Sequence, residues 1–157
     1  MSRLRWLIVA AFLMPLTVAA QDSLDDAFDR DVLVIAARNA CFRFDIYLAL
    51  SREQQRRGLM FVRELPMTTG MLFVYPGEAH HSMWMKNTFI PLDILFARSD
   101  GTVSSIAKDT TPQSLKSISS TEPVTYVLEL NAGITDALLI EPGSLLIWEP
   151  GLPASEN

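Results

Sequence analysis

Cysteine is almost absent: Cys41 is the single one in 157 residues. No disulfide can therefore form within the chain, and packing and hydrogen bonds must hold the fold. Histidine is nearly as scarce, with His80 and His81 the only two, so there is little material for imidazole catalysis. There is no surplus of positive charge either. Thirteen Lys and Arg face 18 Asp and Glu, for a net charge of −5, which argues against nucleic acid and anionic lipid as partners, since both demand a basic face. No zinc-type ligand spacing, P-loop or dinucleotide fingerprint is present. No repeat with a period of 20–50 residues is visible. The longest apolar run, Leu7 to Ala20, is about 14 residues, short of the roughly 20 a membrane-spanning helix needs.

That run has a different meaning. Arg3 and Arg5 precede it and Val18-Ala19-Ala20 ends it, the layout of a secretory signal cleaved before Gln21. No cysteine follows it, so neither a lipid anchor nor a stable membrane anchor is expected. The expected location is the periplasm or the medium of a bacterium. Cleavage leaves 137 residues and, with Arg3 and Arg5 gone, a net charge of −7. That length suits one domain with a real core and is too short for two. The expected layout is a signal peptide over 1–20, a flexible leader over 21–30, one domain over 31–150 and a tail over 151–157. Cys41 is expected to be buried as a small hydrophobe.

Strand periodicity fills the domain. Asp31 to Ala37 reads as a first strand. Phe42, Phe44, Ile46, Leu48 and Leu50 alternate with Arg43, Asp45, Tyr47 and Ala49, the period of two of a half-buried strand. Ser51-Arg52-Glu53-Gln54 spells a capping box, and Gly58 is placed to end the short helix it starts. Met71 to Tyr75 reads as a buried strand. Met83 to Lys86 is a candidate strand, and Ile90, Leu92, Ile94 and Phe96 mark a half-buried one. Asp100-Gly101 is a hairpin signal, with Thr102 to Ala107 returning. Lys108 to Glu122 is Ser- and Thr-rich and contains Pro112, a long surface connection of a length that is either mobile or borders a site. Val124 to Leu130 and Leu145 to Trp148 complete the strands, with a short helix between Asn131 and Ala137. The pattern predicts a mainly β (α+β) fold: a small antiparallel β-barrel-like domain with one or two short helices.

Several motifs carry a resemblance. Gly58-Leu59-Met60, Gly70-Met71-Leu72-Phe73, Trp84-Met85-Lys86-Asn87-Thr88 followed by Pro91-Leu92-Asp93, and Leu128-Glu129-Leu130-Asn131-Ala132-Gly133 occur in this order. Together they resemble the DUF192 family, also called UPF0127 or COG1430, over roughly residues 32–149. The resemblance implies a compact β-barrel-like domain, often exported, without an established activity. One departure is Met83, where the family usually has an aromatic residue.

The polar residues of these motifs are the candidate ligand-binding site: Arg63, Trp84, Lys86, Asn87, Thr88, Asp93 and Glu129. They offer cationic donors, neutral donors and acceptors, and carboxylates, a set suited to a small polar or anionic ligand if they converge in a cleft. The competing reading makes them turn and brace residues of the sheet. A second candidate is a copper site from His80, His81, Met83 and Met85, soft thioethers beside imidazoles; no cofactor is otherwise expected. A hydrolase is the third, through Cys41, His81 and Asp93 or through the carboxyl pair Asp93 and Glu129. No local signature supports either set, and no catalytic residue is assigned.

Overall fold

The computed structural model describes residues 23–150; the expected signal peptide and tail lie outside them. The described chain forms α1 (Leu24–Ala27), β1 (Asp29–Ala36), β2 (Cys41–Ala49), α2 (Arg52–Arg57), β3 (Thr69–Ala79), β4 (Ser82–Met83), β5 (Leu92–Ala97), β6 (Val103–Ala107), β7 (Ile118–Ser119), β8 (Val124–Asn131), α3 (Ile134–Ala137) and β9 (Leu145–Ile147). Seven strands make one sheet in the order β6-β5-β8-β3-β2-β1-β9, and β4 pairs with β7 in a two-stranded ribbon. A bridge between Thr102 and Leu145 brings the two ends of the large sheet together, so the sheet curls into a nearly closed barrel. This is the mainly β, barrel-like architecture that the alternating pattern predicts.

Two details differ. The β2–β3 pair is parallel, with Asp45 opposite Thr69 and Ala49 opposite Phe73. Parallel neighbours need a crossover, and α2 with the segment after it supplies one. There are also three short helices rather than one or two. The extra one is α1, inside the expected flexible leader. Ser23 and Asp26 cap it reciprocally, and Phe28 behind it is buried with its ring edge-on to Tyr47. The apolar contact of Phe28 orders what composition alone marks as leader.

The sheet is buried on both faces, which explains why β5 is buried at all six positions although its pattern reads as half-exposed. Inside the barrel, Leu33, Ile35, Phe44, Ile46, Leu72, Leu95, Leu128 and Leu130 pack together. The outer face carries Tyr47, Met71, Phe73, Ile94, Phe96 and Val127. Leu59, Leu65 and Met85 come from the irregular segments and cover that face. The α2 helix starts as its sequence requires: Ser51 Oγ accepts from the Gln54 amide at 3.2 Å, and Gln54 Oε1 accepts from the Ser51 amide at 2.9 Å. Gly58 ends it at φ 48°.

Cys41 is exposed, at the first position of β2, and this corrects the expectation of burial. It follows the β1–β2 turn, where the strand has not yet entered the layer that covers its later residues.

Candidate functional site

Asp93 is 0% exposed, and its carboxylate is already in use. Oδ1 accepts from the Asp109 amide at 3.0 Å. Oδ2 accepts from the amides of Gly133 and Thr135 at 3.1 and 3.0 Å and from the Thr135 hydroxyl at 2.7 Å. Gly133 is the N-cap of α3 and has no capping side chain of its own. Asp93 therefore caps α3 from across the fold, satisfying amides that would otherwise be orphaned. It braces the scaffold and has no free acceptor capacity turned toward a cleft.

Glu129 is also buried, at 4% exposure, but on the other side of the sheet. It stands opposite Met71 and Ile94, in the outer layer that Met85 covers. Burial alone pushes its carboxyl up to about 8, so the group is neutral at pH 7. Tyr75, on the same side, is pushed up to about 12 by burial, with Glu129 adding to the effect. Asp93 and Glu129 thus cannot work as a carboxyl pair.

The other predicted residues sit on the surface loops above this outer layer. Trp84 is half-exposed with the Lys86 ammonium 5.0 Å from its ring centre. Asn87 takes the left-handed conformation at φ 56°, and its carbonyl accepts from the Phe61 amide at 2.8 Å. That bond brings the Arg63 segment alongside, with the Arg63 guanidinium 5.0 Å over Phe89. Thr88 is buried beneath. Arg63, Trp84, Lys86 and Asn87 therefore do form one surface region, while Thr88 and Glu129 underlie it and Asp93 belongs to the opposite face.

Beside this region lies a recess of about 340 Å³ formed by Met85, Ala107, Lys108, Asp109, Thr110 and Thr111 with Ser114, Lys116, Ser117 and Ile118. It is built by the long Ser/Thr-rich connection. Two backbone bonds dock that connection onto the tryptophan segment, Met85 N to Ser114 O at 3.1 Å and Gln113 N to Thr88 O at 3.0 Å. Its polar lining residues are Thr110, Thr111, Ser114 and Ser117, the two lysines and the acid Asp109. Lys108 is paired with Asp136; Lys116 has no ion pair among the described residues. These residues were not among the sequence candidates. The signal was there in the composition and length of the connection.

His80, exposed, approaches the Ser120 carbonyl at 3.4 Å. His81 stacks on Tyr75 at 3.5 Å between ring centres, and burial lowers its pKa. The Tyr75 hydroxyl lies 3.9 Å from the Met83 sulfur and the Thr110 hydroxyl 3.2 Å from that of Met85. No group of three or more His, Cys, Asp or Glu able to hold a metal occurs among the described residues. Nor are Cys41, His81 and Asp93 bonded to one another among the described residues: Cys41 opens β2, His81 stacks on Tyr75 and Asp93 is bonded to Asp109, Gly133 and Thr135.

The DUF192 model (Uncharacterized ACR, COG1430) matches residues 33–148. The chain belongs to the DUF192 family. Among solved structures, this DUF192 chain is similar to a Sinorhizobium meliloti 1021 protein given the provisional name transcription regulator. The two are 38% identical with a TM-score of 0.75, over 76% of this chain and 94% of that one. It is also similar to a protein of unknown function from Novosphingobium aromaticivorans DSM 12444, at 29% identity and a TM-score of 0.76, over 89% and 94% of the two chains. No curated protein matches it.

Proposed function

We propose that this DUF192 domain is exported and binds a small anionic, oxygen-rich ligand in the recess between Met85 and the 108–118 connection. The observation that carries the reading is the set of residues around one hollow: Thr110, Thr111, Ser114 and Ser117 with Lys108 and Lys116, against the single acid Asp109. Hydroxyl and ammonium donors are what a carboxylate or phosphate needs, and charge-assisted bonds are the strong ones. Lys86 and the half-exposed Trp84 ring extend the region at its edge, the ring as a stacking surface and the ammonium as a second point of attraction. The protein's role in this reading is recognition; among the described residues no nucleophile, base and orienting group are bonded together.

The test is calorimetric titration of the mature chain with inorganic phosphate, glucuronate and citrate, with glucose as the neutral control. Saturable binding of at least one anion, weakened about tenfold in Lys116→Ala, supports the reading. Equal behaviour of glucose and the anions, or an unchanged affinity in Lys116→Ala, overturns it. Export is tested by N-terminal sequencing of the protein recovered from its native cell. A mature end at Gln21 supports it, and an intact Met1 in the cytoplasm overturns it.

A further inference from the structure

A second hollow, sharing no lining residue with the first, opens at the end of the barrel beside the closing seam. Its volume is about 250 Å³. Leu33 and Leu72, 0% and 1% exposed, form its apolar floor. Tyr126 and Trp148 form its walls, with ring centres 6.2 Å apart and planes at 82°. Trp148 is fixed in that pose because its Nε1 donates to Asp31 Oδ2 at 2.9 Å. The rim holds Ser99, Asp100 and Glu149, and no Lys or Arg lines the hollow.

The chemistry is therefore one-sided. Aromatic ring faces carry negative potential and attract cations, most strongly where water is excluded. Two near-perpendicular rings above an aliphatic floor can enclose a rounded, alkylated cation without needing hydrogen bonds from it. Carboxylates at the rim add long-range attraction. The Thr102 amide, bonded to Asp100 Oδ1 at 2.9 Å, holds that carboxyl below its ordinary range. The Ser99 amide and hydroxyl both donate to Glu78, which brings a third acid to the rim. The nearest cation in sequence, Arg98, is paired with Glu122.

We propose that the hollow beside the Tyr126–Trp148 pair is a binding site for a small organic cation bearing a quaternary or alkylated ammonium head. The head sits against the two rings over Leu33 and Leu72, and Asp100 and Glu149 balance its charge. An anion or a neutral sugar finds no cationic or multiple-donor partner there. This site and the hydroxyl-lined recess select ligands of opposite charge.

The experiment titrates the mature chain with choline and with 3,3-dimethylbutan-1-ol, its neutral isostere. The expected result is saturable choline binding about tenfold tighter than that of the isostere. Asp100→Asn, Glu149→Gln and Trp148→Leu should each weaken it, and Lys116→Ala should leave it unchanged. Trp148→Phe keeps a ring in the wall and should retain most of the affinity, which separates loss of the ring from loss of the fold; melting curves of every variant accompany the titrations. Equal binding of choline and the isostere would mean an apolar crevice only and overturns the proposal. So does the absence of choline binding, or insensitivity to both Asp100→Asn and Trp148→Leu.

Discussion

Asp93 and Glu129 sit one register step apart on neighbouring strands, and their side chains leave the sheet by opposite faces. Asp93 stands opposite Leu130, whose side chain packs inside the barrel, and Glu129 stands opposite Ile94, which packs in the outer layer. Side chains alternate faces along a strand, so residues offset by one cannot converge. The two acids also differ in chemistry: the Asp93 carboxylate accepts four hydrogen bonds, and the Glu129 carboxyl has none among the described residues.

Replacing Asp93 tests its role as a brace. Asp93→Asn keeps the size but loses one acceptor oxygen and the charge, and bonds to charged acceptors contribute about 1.5–3 kcal/mol each. The expected loss is on the order of 2–3 kcal/mol in chemical denaturation, with choline and phosphate titrations unchanged in the folded protein. A loss under about 0.5 kcal/mol would be that of an ordinary surface position.

Glu129 gives a pH signature whose sign follows from its raised folded-state value. Its carboxyl ionises near 4.5 when unfolded and near 8 when folded. Between those values the folded state holds more protons, so stability falls as pH rises through this window and levels off above it. Glu129→Gln removes that dependence. The variant should match the parent near pH 4 and exceed it at pH 8, by an amount on the order of a few kcal/mol given about 1.4 kcal/mol per pKa unit. Parallel stability curves for the two proteins across pH 4–9 would show that the carboxyl does not titrate this way.

Gly101 is the tightest point of the seam. A Cβ there would lie 2.2 Å from the Leu146 carbonyl oxygen, and φ is +82°. Gly101→Ala should cost more than about 2 kcal/mol through both strain and lost closure. Gly77, with open space around its Cα, is the control, and Gly77→Ala should change little. Similar melting temperatures for the two variants would mean that the seam yields easily.

Cys41 should react fully with a thiol reagent such as Ellman's in the native state, before any unfolding, since it is exposed. Reaction only after addition of denaturant would place it in the interior.

Local pattern carried most of the strand content. The alternation in Phe42–Leu50 and Val124–Leu130 announces its strands because one face of each is uniformly apolar, and the Ser51–Gln54 box announces its helix. The Ser23–Asp26 box carried the same kind of signal within an acidic stretch that reads as leader. What local pattern could not carry is pairing. Nothing near Asp93 points to Gly133 and Thr135, about forty residues on, and without register Asp93 and Glu129 look like equivalent polar residues on two strands. The exposure of Cys41 is not legible in the sequence, because alternation tells which residues share a face but not where along a strand the covering layer begins. The recess lining is hidden for a related reason: the sequence does not show that Met85 and Thr88 hold the connection down.

The bridge from Thr102 to Leu145 makes the last strand the piece that finishes the wall. A chain still lacking residues 145–147 presents two bare rows of amides and carbonyls, one on β6 and one on β1, both open to pairing with other chains. The large sheet is thus committed to its closed shape only once β9 has joined it. Loss of β9 would leave the remainder of the sheet prone to self-association.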